Sequence, residues 1–206
     1  MIAEHVAALV LAGGEARRLG GRDKPLVEVG GAPILTRLIA TLRDDHAAIA
    51  ISANGDPSRF AAFGLPVLPD GAHAEEGPLA GVLAGLDWAA EHGATALLSI
   101  PGDTPFIPPH LVTALSPAPA CASSAGRTHH LVALWPVAAR ETLRAMLAAP
   151  GSRAVARFAD RIGMRTIDFP ARPWDPFLNV NTPDDLAAAR AIAGLAGTQG
   201  ERQGER

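Results

Sequence analysis

Apolar residues recur along this 206-residue chain in two rhythms. Short runs at 6–12, 48–53, 67–68, 95–100 and 131–135 are rich in Val, Ile, Leu and Ala, and such near-continuous apolar runs predict strands covered on both faces. Between them Leu35, Leu38, Ile39 and Leu42, and again Leu79, Val82, Leu83, Leu86 and Ala90, recur at the spacing of one helix face. Alternation of this kind predicts an α/β fold, a three-layer sandwich with a mainly parallel, Rossmann-like sheet. The length suits a single domain, expected over 1–196, and the polar, Gly-rich stretch 197–206 with its GERQGER ending is expected to form a disordered tail. No long-period internal repeat interrupts this pattern.

Charge narrows the partners. With 18 Lys and Arg against 21 Asp and Glu, the chain carries a net charge of −3. It therefore lacks the broad cationic face that a nucleic-acid backbone requires, and polymeric DNA or RNA is excluded as a partner. No apolar run approaches the 18 or so residues of a membrane span. The first residues include Glu4 and no cationic segment, so no signal peptide is expected. Cys121, the one cysteine, cannot form an intramolecular disulfide, which suits a reducing compartment. A cytoplasmic protein is the expectation. Neither HExxH nor CxxC spacing nor a nucleophile elbow occurs, so zinc and triad hydrolases find no support.

In parallel sheets ligands collect beyond the carboxyl ends of the strands, which directs attention to the loops after Ala12, Ala53, Leu68 and Ile100. The first loop reads LAGGEARRLGGRDK, residues 11–24. Gly13 and Gly14 let amide groups approach a ligand, while Arg17, Arg18, Arg22 and Lys24 can neutralise phosphate oxygens. A polyphosphate fits this loop. A solvated turn that only permits tight packing is the plainer alternative, and four cations in one loop weigh against it. GxGxxG is absent, and GxxxxGK[ST] cannot be written through Lys24, which Pro25 follows. Lys24 is also the single lysine of the chain, so a compact ammonium stands here where every other basic side chain is a forked guanidinium.

The fourth run ends in LLSIPGDTPFIP, residues 97–108, and places Asp103 just past a buried strand between Pro101 and Pro105. Mg²⁺ takes one or two carboxylates plus substrate phosphates and water, so a single well-held Asp is an adequate anchor. A turn or helix cap is the alternative reading of Asp103. Asp70 holds the equivalent edge after 67–68, either to contact a ribose, a base or the same metal, or to turn the chain before Gly71. Of the seven histidines, the pair His129–His130 is notable, because neighbours on a strand face opposite sides and one could reach the ligand edge. Thr182, Pro183 and Asp185 read as a helix start, with Pro at N1 and an acid at N3. Asn179 and Asn181, two apart, would face one way on an extended segment and offer both donors and acceptors.

Taken together, these stretches resemble the molybdenum cofactor guanylyltransferases, which transfer GMP from GTP to the molybdopterin form of the cofactor. The resemblance spans 6–193. It rests on LAGGEARRLGGRDK, Asn54 in ISANGD, Asp70, GPLAG at 77–81, GDTPFIP at 102–108, His129 in THHLVALW, and FLNVNTPDDL at 177–186. It implies a fold of the nucleotide-diphospho-sugar transferase type, with Leu11, Ala12, Gly13, Gly14, Lys24, Asn54, Asp70 and Asp103 at GTP and Mg²⁺ on Asp103. It further implies Gly77, Pro78, Leu79, Gly81, Asn179, Asn181 and Thr182 near the pterin of Mo-molybdopterin, and charge neutralisation by Lys24, Arg18 and Asp103. A monomer served by molybdopterin-loading proteins and molybdoenzyme chaperones completes the expectation. One departure is Gly102, where similar proteins often carry Cys; altered loop stiffness without loss of activity is expected.

Rivals remain open on the residues alone. A cytidylyltransferase of the same superfamily is the nearest, although relatives using CTP tend to show LAAG where Gly14 stands here. A non-catalytic nucleotide or cofactor delivery module is another, against which the pairing of Lys24 with Asp103 counts. Dinucleotide-dependent redox chemistry is the weakest.

Overall fold

The first strand, β1 (Val6–Leu11), sends Ala7 and Leu9 into one buried cluster and Ala8 and Val10 into another, as the alternation of side chains along a strand requires. This division runs through the computed structural model, which describes residues 5–13, 15–16, 22–43, 48–73 and 76–203. Six further strands join β1: β2 (Ile49–Ser52), β3 (Val67–Leu68), β4 (Ala96–Pro101), β5 (Ala120–Ser124), β6 (Arg127–Pro136) and β7 (Arg165–Asp168). Their order is β7-β5-β6-β4-β1-β2-β3. Every pairing is parallel except those of β6, which runs antiparallel to both β4 and β5. The carboxyl ends of the other six strands therefore lie along one edge.

Helices cover both faces. On one side α1 (Ile34–Arg43) buries Leu35, Leu38, Ile39 and Leu42, joined by α3 (Leu111–Leu115) and by Ala189 and Ala193 of α6 (Pro183–Gln203). On the other, α2 (Pro78–Glu91) buries Leu79, Val82, Leu83 and Leu86 beside α4 (Arg140–Ala148) and α5 (Val155–Arg161). Gly85 lets α2 lie tight on the sheet, since a Cβ there would stand 2.5 Å from a methyl of Leu9 and 2.9 Å from one of Leu97. Two short antiparallel ribbons, Glu15–Ala16 with Arg22–Asp23 and Glu28–Val29 with Ala32–Pro33, decorate the ligand edge and the start of α1.

The predicted strands all form. The fifth is longer than its apolar run because the polar residues 127–130 extend it. The pattern misses β5 and β7. β5 reads ACASS, five small residues without one strongly apolar side chain, yet all are buried. β7 reads RTID at the sheet's edge, largely exposed, so burial imposes no apolar pattern on it. The last helix runs from Pro183 to Gln203. No helix among the described residues is long and apolar enough to cross a membrane.

Candidate functional site

At the carboxyl edge β1 and β4 lie side by side, with Leu11 paired to Pro101, so the chain leaving β1 and the Asp103 turn emerge together. The Gly102 amide donates to the Leu11 carbonyl at 2.9 Å and ties the two exits. The stretch 175–181 crosses this point. Val180 donates its amide to the Asp103 carbonyl at 2.8 Å, and the Thr104 hydroxyl, on a fully buried residue, donates to Asn179 Oδ1 at 3.2 Å. Leu11, Ala12, Gly13, Lys24, Pro25, Pro78, Pro101, Gly102, Asp103, Leu131 and Asn179 line one recess there.

Lys24 is the hub of that recess. Its ammonium lies 3.2 Å from Asp103 Oδ2 and also donates to Asn181 Oδ1. Asn181 is itself held: Asp185 Oδ2 accepts the amides of Asn181 at 3.0 Å and Thr182 at 2.9 Å, and Asp185 returns its own amide to the Thr182 hydroxyl at 3.2 Å. This reciprocal cap starts α6 with Pro183 at its first position. The Asn181 amide, together with the Thr182 bonds, holds the Asp185 carboxyl below the ordinary carboxylate range. A helix cap and a site residue are thus the same few atoms.

The other carboxylate oxygen of Asp103, Oδ1, is buried and has no hydrogen-bond partner among the described residues. An anionic oxygen left unpaired at such cost is suited to a cation that arrives with a ligand. The donor set agrees with Mg²⁺, which accepts one carboxylate when phosphates and water complete its shell. Among the described residues no group of three or more His, Cys, Asp or Glu could hold a metal without such help.

A second recess adjoins the first and is lined by Leu11, Gly13, Ser52, Asn54, Asp70, Gly77, Pro78 and Gly81. Asn54 donates from Nδ2 to Asp70 Oδ2 at 2.8 Å and accepts the Asp70 amide on Oδ1 at 2.9 Å; the Ser52 hydroxyl donates to Asp70 Oδ1 at 3.2 Å. Both carboxylate oxygens are thereby oriented, with lone pairs left to accept from a ligand's N–H or O–H groups. The N-terminus of α2 opens on this recess, where the helix dipole favours an anion.

Two glycines make these approaches possible. A Cβ on Gly81 would fall 2.3 Å from Ser52 Oγ and 3.2 Å from Asp70 Oδ1. Gly81→Ala is therefore expected to force Ser52 off Asp70, lowering stability by about 1–3 kcal/mol and weakening nucleotide binding; thermal denaturation and a GTP titration both unchanged would refute the close approach. At Gly102 a Cβ would stand 2.6 Å from Cγ of Pro25 and 3.1 Å from the Leu11 carbonyl oxygen. The Pro25 ring occupies the space that any side chain at 102 would need. Gly102 thus accompanies a particular seating of the residue after Lys24.

The structure brings together Leu11, Ala12, Gly13, Lys24, Asp103 and Asn179 in one recess, and Asn54, Asp70, Gly77, Pro78 and Gly81 in the other. Within the GPLAG segment, Gly77 and Gly81 stand beside Asn54 and Asp70, and Pro78 borders both recesses. The Leu79 side chain is fully buried in the core beneath α2. Gly14, Arg17 and Arg18 lie outside the described residues, and of Arg22 only the backbone is described, in its short ribbon. His129 is engaged elsewhere: its Nε2 lies 2.8 Å from the Ser124 hydroxyl, which donates to Asp175, and its ring packs 5.1 Å from that of Phe177. Burial pushes its imidazole pKa below the usual value. Ser52 and Thr104 went unread, being small polar residues whose role exists only through Asp70 and Asn179.

Comparisons with known proteins bear on the family and the fold. Residues 8–162 match the MobA-like NTP transferase domain. A molybdenum cofactor guanylyltransferase of Acidiphilium cryptum is 56% identical over 187 residues, 91% of this chain and 95% of the relative. One of Rhodopseudomonas palustris, strain BisB5, is 48% identical over 203 residues, 93% of this chain and 97% of that protein. Among solved structures, molybdopterin-guanine dinucleotide biosynthesis protein A from Archaeoglobus fulgidus superposes with a TM-score of 0.68 at 21% identity, over 91% of this chain and 98% of the other. CMP:2-keto-3-deoxy-manno-octonic acid synthetase gives a TM-score of 0.66 at 18% identity, over 93% and 99%. The solved structures carry the fold, that of the nucleotide-diphospho-sugar transferases. The match over 8–162 and the identity to curated relatives make this chain a member of the MobA-like NTP transferase family.

Proposed function

We propose that this protein is a molybdenum cofactor guanylyltransferase, which transfers GMP from GTP to Mo-molybdopterin and releases pyrophosphate. The observation that carries the reading is the Lys24–Asp103–Asn181 cluster, with its unpaired buried carboxylate oxygen, placed between a recess suited to a nucleotide and the asparagine segment. The printed names of relatives 48–56% identical to this chain support the same activity.

In this reaction a phosphate oxygen of molybdopterin forms a bond to the α-phosphorus of GTP as the bond to the pyrophosphate oxygen breaks. The attacking oxygen is already anionic, so neither a protein nucleophile nor a general base is required. The chain's work is to hold two anions in line and to neutralise charge. Asn54 and Asp70 hold the nucleoside side, and the α2 N-terminus with Gly13 receives phosphate. Asn179 and Asn181 serve the acceptor, and Pro78 stands between the two. Lys24 moves positive charge to the leaving oxygens, with Arg18 as a second cation. Asp103 would hold Mg²⁺, which supplies further neutralisation of the phosphates when bound. On this reading the enzyme is a monomer of the cytoplasm that receives molybdopterin from loading proteins and passes the dinucleotide to molybdoenzyme chaperones.

The test is pyrophosphate release with Mo-molybdopterin as acceptor, in parallel with GTP and CTP. GTP-dependent release that needs acceptor and Mg²⁺ is expected. Faster turnover of CTP would overturn the nucleotide assignment, and no release with either would leave a delivery module as the better account.

A further inference from the structure

One residue that no motif singled out touches both Asn54, which lines the second recess, and the residue before Lys24. Arg59 lies in the 3₁₀ helix Pro57–Phe63 that follows β2. Its guanidinium makes three contacts in three directions. Nη1 donates to Asp23 Oδ1 at 2.6 Å, Nη2 to the Asn54 carbonyl at 2.6 Å, and Nε to the Asp56 carbonyl at 2.9 Å. The fork also lies 5.1 Å over the Phe60 ring, and Phe60 is fully buried, so the guanidinium is seated on the core.

The two distant ends of this contact set matter. Asp23 pairs with Glu15 at the base of the ribbon that closes the glycine loop, and it immediately precedes Lys24. Asn54 orients Asp70 through two hydrogen bonds. Apart from Arg59, the contacts just described join neither end to the other. The Asp23 side chain is 15% exposed and that of Arg59 34%. A planar fork offers donors on three separate nitrogens to a carboxylate and two carbonyls held apart; the three donors of an ammonium share one nitrogen and cannot span them in this way.

We infer that Arg59 is a positioning residue that clasps the base of the glycine loop to the Asn54 turn and so sets the opening of the nucleotide recess. The inference rests on the nucleotide reading of that recess. Arg59 acts through Asp23 and Asn54 and touches no reacting atom, so its loss weakens capture of the nucleotide more than it slows the transfer.

The experiment measures Mg·GTP binding by calorimetry, and KM for GTP with kcat from pyrophosphate release, for wild type, Arg59→Gln, Arg59→Lys, Asp23→Asn and the double variant Arg59→Gln/Asp23→Asn. Melting temperature is recorded for each. Arg59→Gln is expected to raise Kd and KM for GTP about tenfold with kcat changed less than about threefold, Arg59→Lys to stay close to it, and the double variant to be no weaker than the worse single one. Unchanged GTP affinity in Arg59→Gln, full recovery by Arg59→Lys, or multiplicative losses in the double variant would each overturn the clasp. A loss confined to kcat, or one that follows melting temperature alone, would overturn it as well. Wild type that binds no GTP would overturn the nucleotide reading and the clasp together, whereas wild type that binds GTP without releasing pyrophosphate fails only the catalytic reading and leaves the calorimetric comparison decisive.

Discussion

Asp103→Ala is expected to lower kcat for guanylyl transfer by on the order of 10³-fold and to abolish its dependence on Mg²⁺. The backbone explains why the loss would be chemical. The Asp103 carbonyl, which accepts the Val180 amide at 2.8 Å, and the Gly102 amide bond to Leu11 are untouched by a side-chain change, so the crossing segment stays in place. What disappears is the carboxylate that pairs with Lys24 on one oxygen and has a buried, unpartnered second oxygen. Asp103→Asn, which keeps the shape and removes the charge, is expected to fall nearly as far. Pyrophosphate release measured across a Mg²⁺ titration checks both variants, and a metal requirement unaltered in Asp103→Ala refutes the metal assignment.

Lys24→Arg is expected to lower kcat about 10- to 100-fold, roughly 1.4–2.7 kcal/mol of transition-state stabilisation, with a smaller rise in KM for GTP. The charge survives this change and the shape does not. An ammonium on a thin stem sits between Asp103 Oδ2 and Asn181 Oδ1, in a recess that the buried Pro25 also lines. A guanidinium is broader, and its fork is committed to planar partners. Lys24→Ala is expected to lose more still. Steady-state kinetics with both variants separates the two properties: a fully active Lys24→Arg would mean that only the positive charge matters at this position.

The fold was largely legible because burial on both faces leaves a strong trace. β1, β2 and β4 are almost wholly buried, and their apolar runs read as central strands without help from context. β5 left no trace because small side chains fill a tight space as well as large ones fill a wide one, and β7 because an edge strand is held by backbone bonds that any residue can make. At the site, Lys24, Asn54, Asp70, Asp103, Asn179 and Asn181 were legible as chemistry-bearing residues after strand ends or within motifs. Their partnerships were not: Lys24 and Asn181 are 157 positions apart, and Thr104 and Asn179 are 75 apart. Arg59 shows the same limit more sharply, since one arginine among 17 has nothing local to distinguish it until Asp23 is found against it, 36 positions away.

By itself, then, the sequence determined the kind of architecture, the edge where ligands gather and the residue types that wait there, because strand burial, helix spacing and turn chemistry are local properties. Tertiary structure alone decided which of these residues meet. It set Gly77 and Gly81 beside Asn54 and Asp70, put the Pro25 ring where a side chain at 102 would stand, and joined the glycine loop to the Asn54 turn through Arg59. The physical reason is that a hydrogen bond or a steric contact between distant segments depends on how the helices seat on the sheet, and that seating is set by close packing of the whole core.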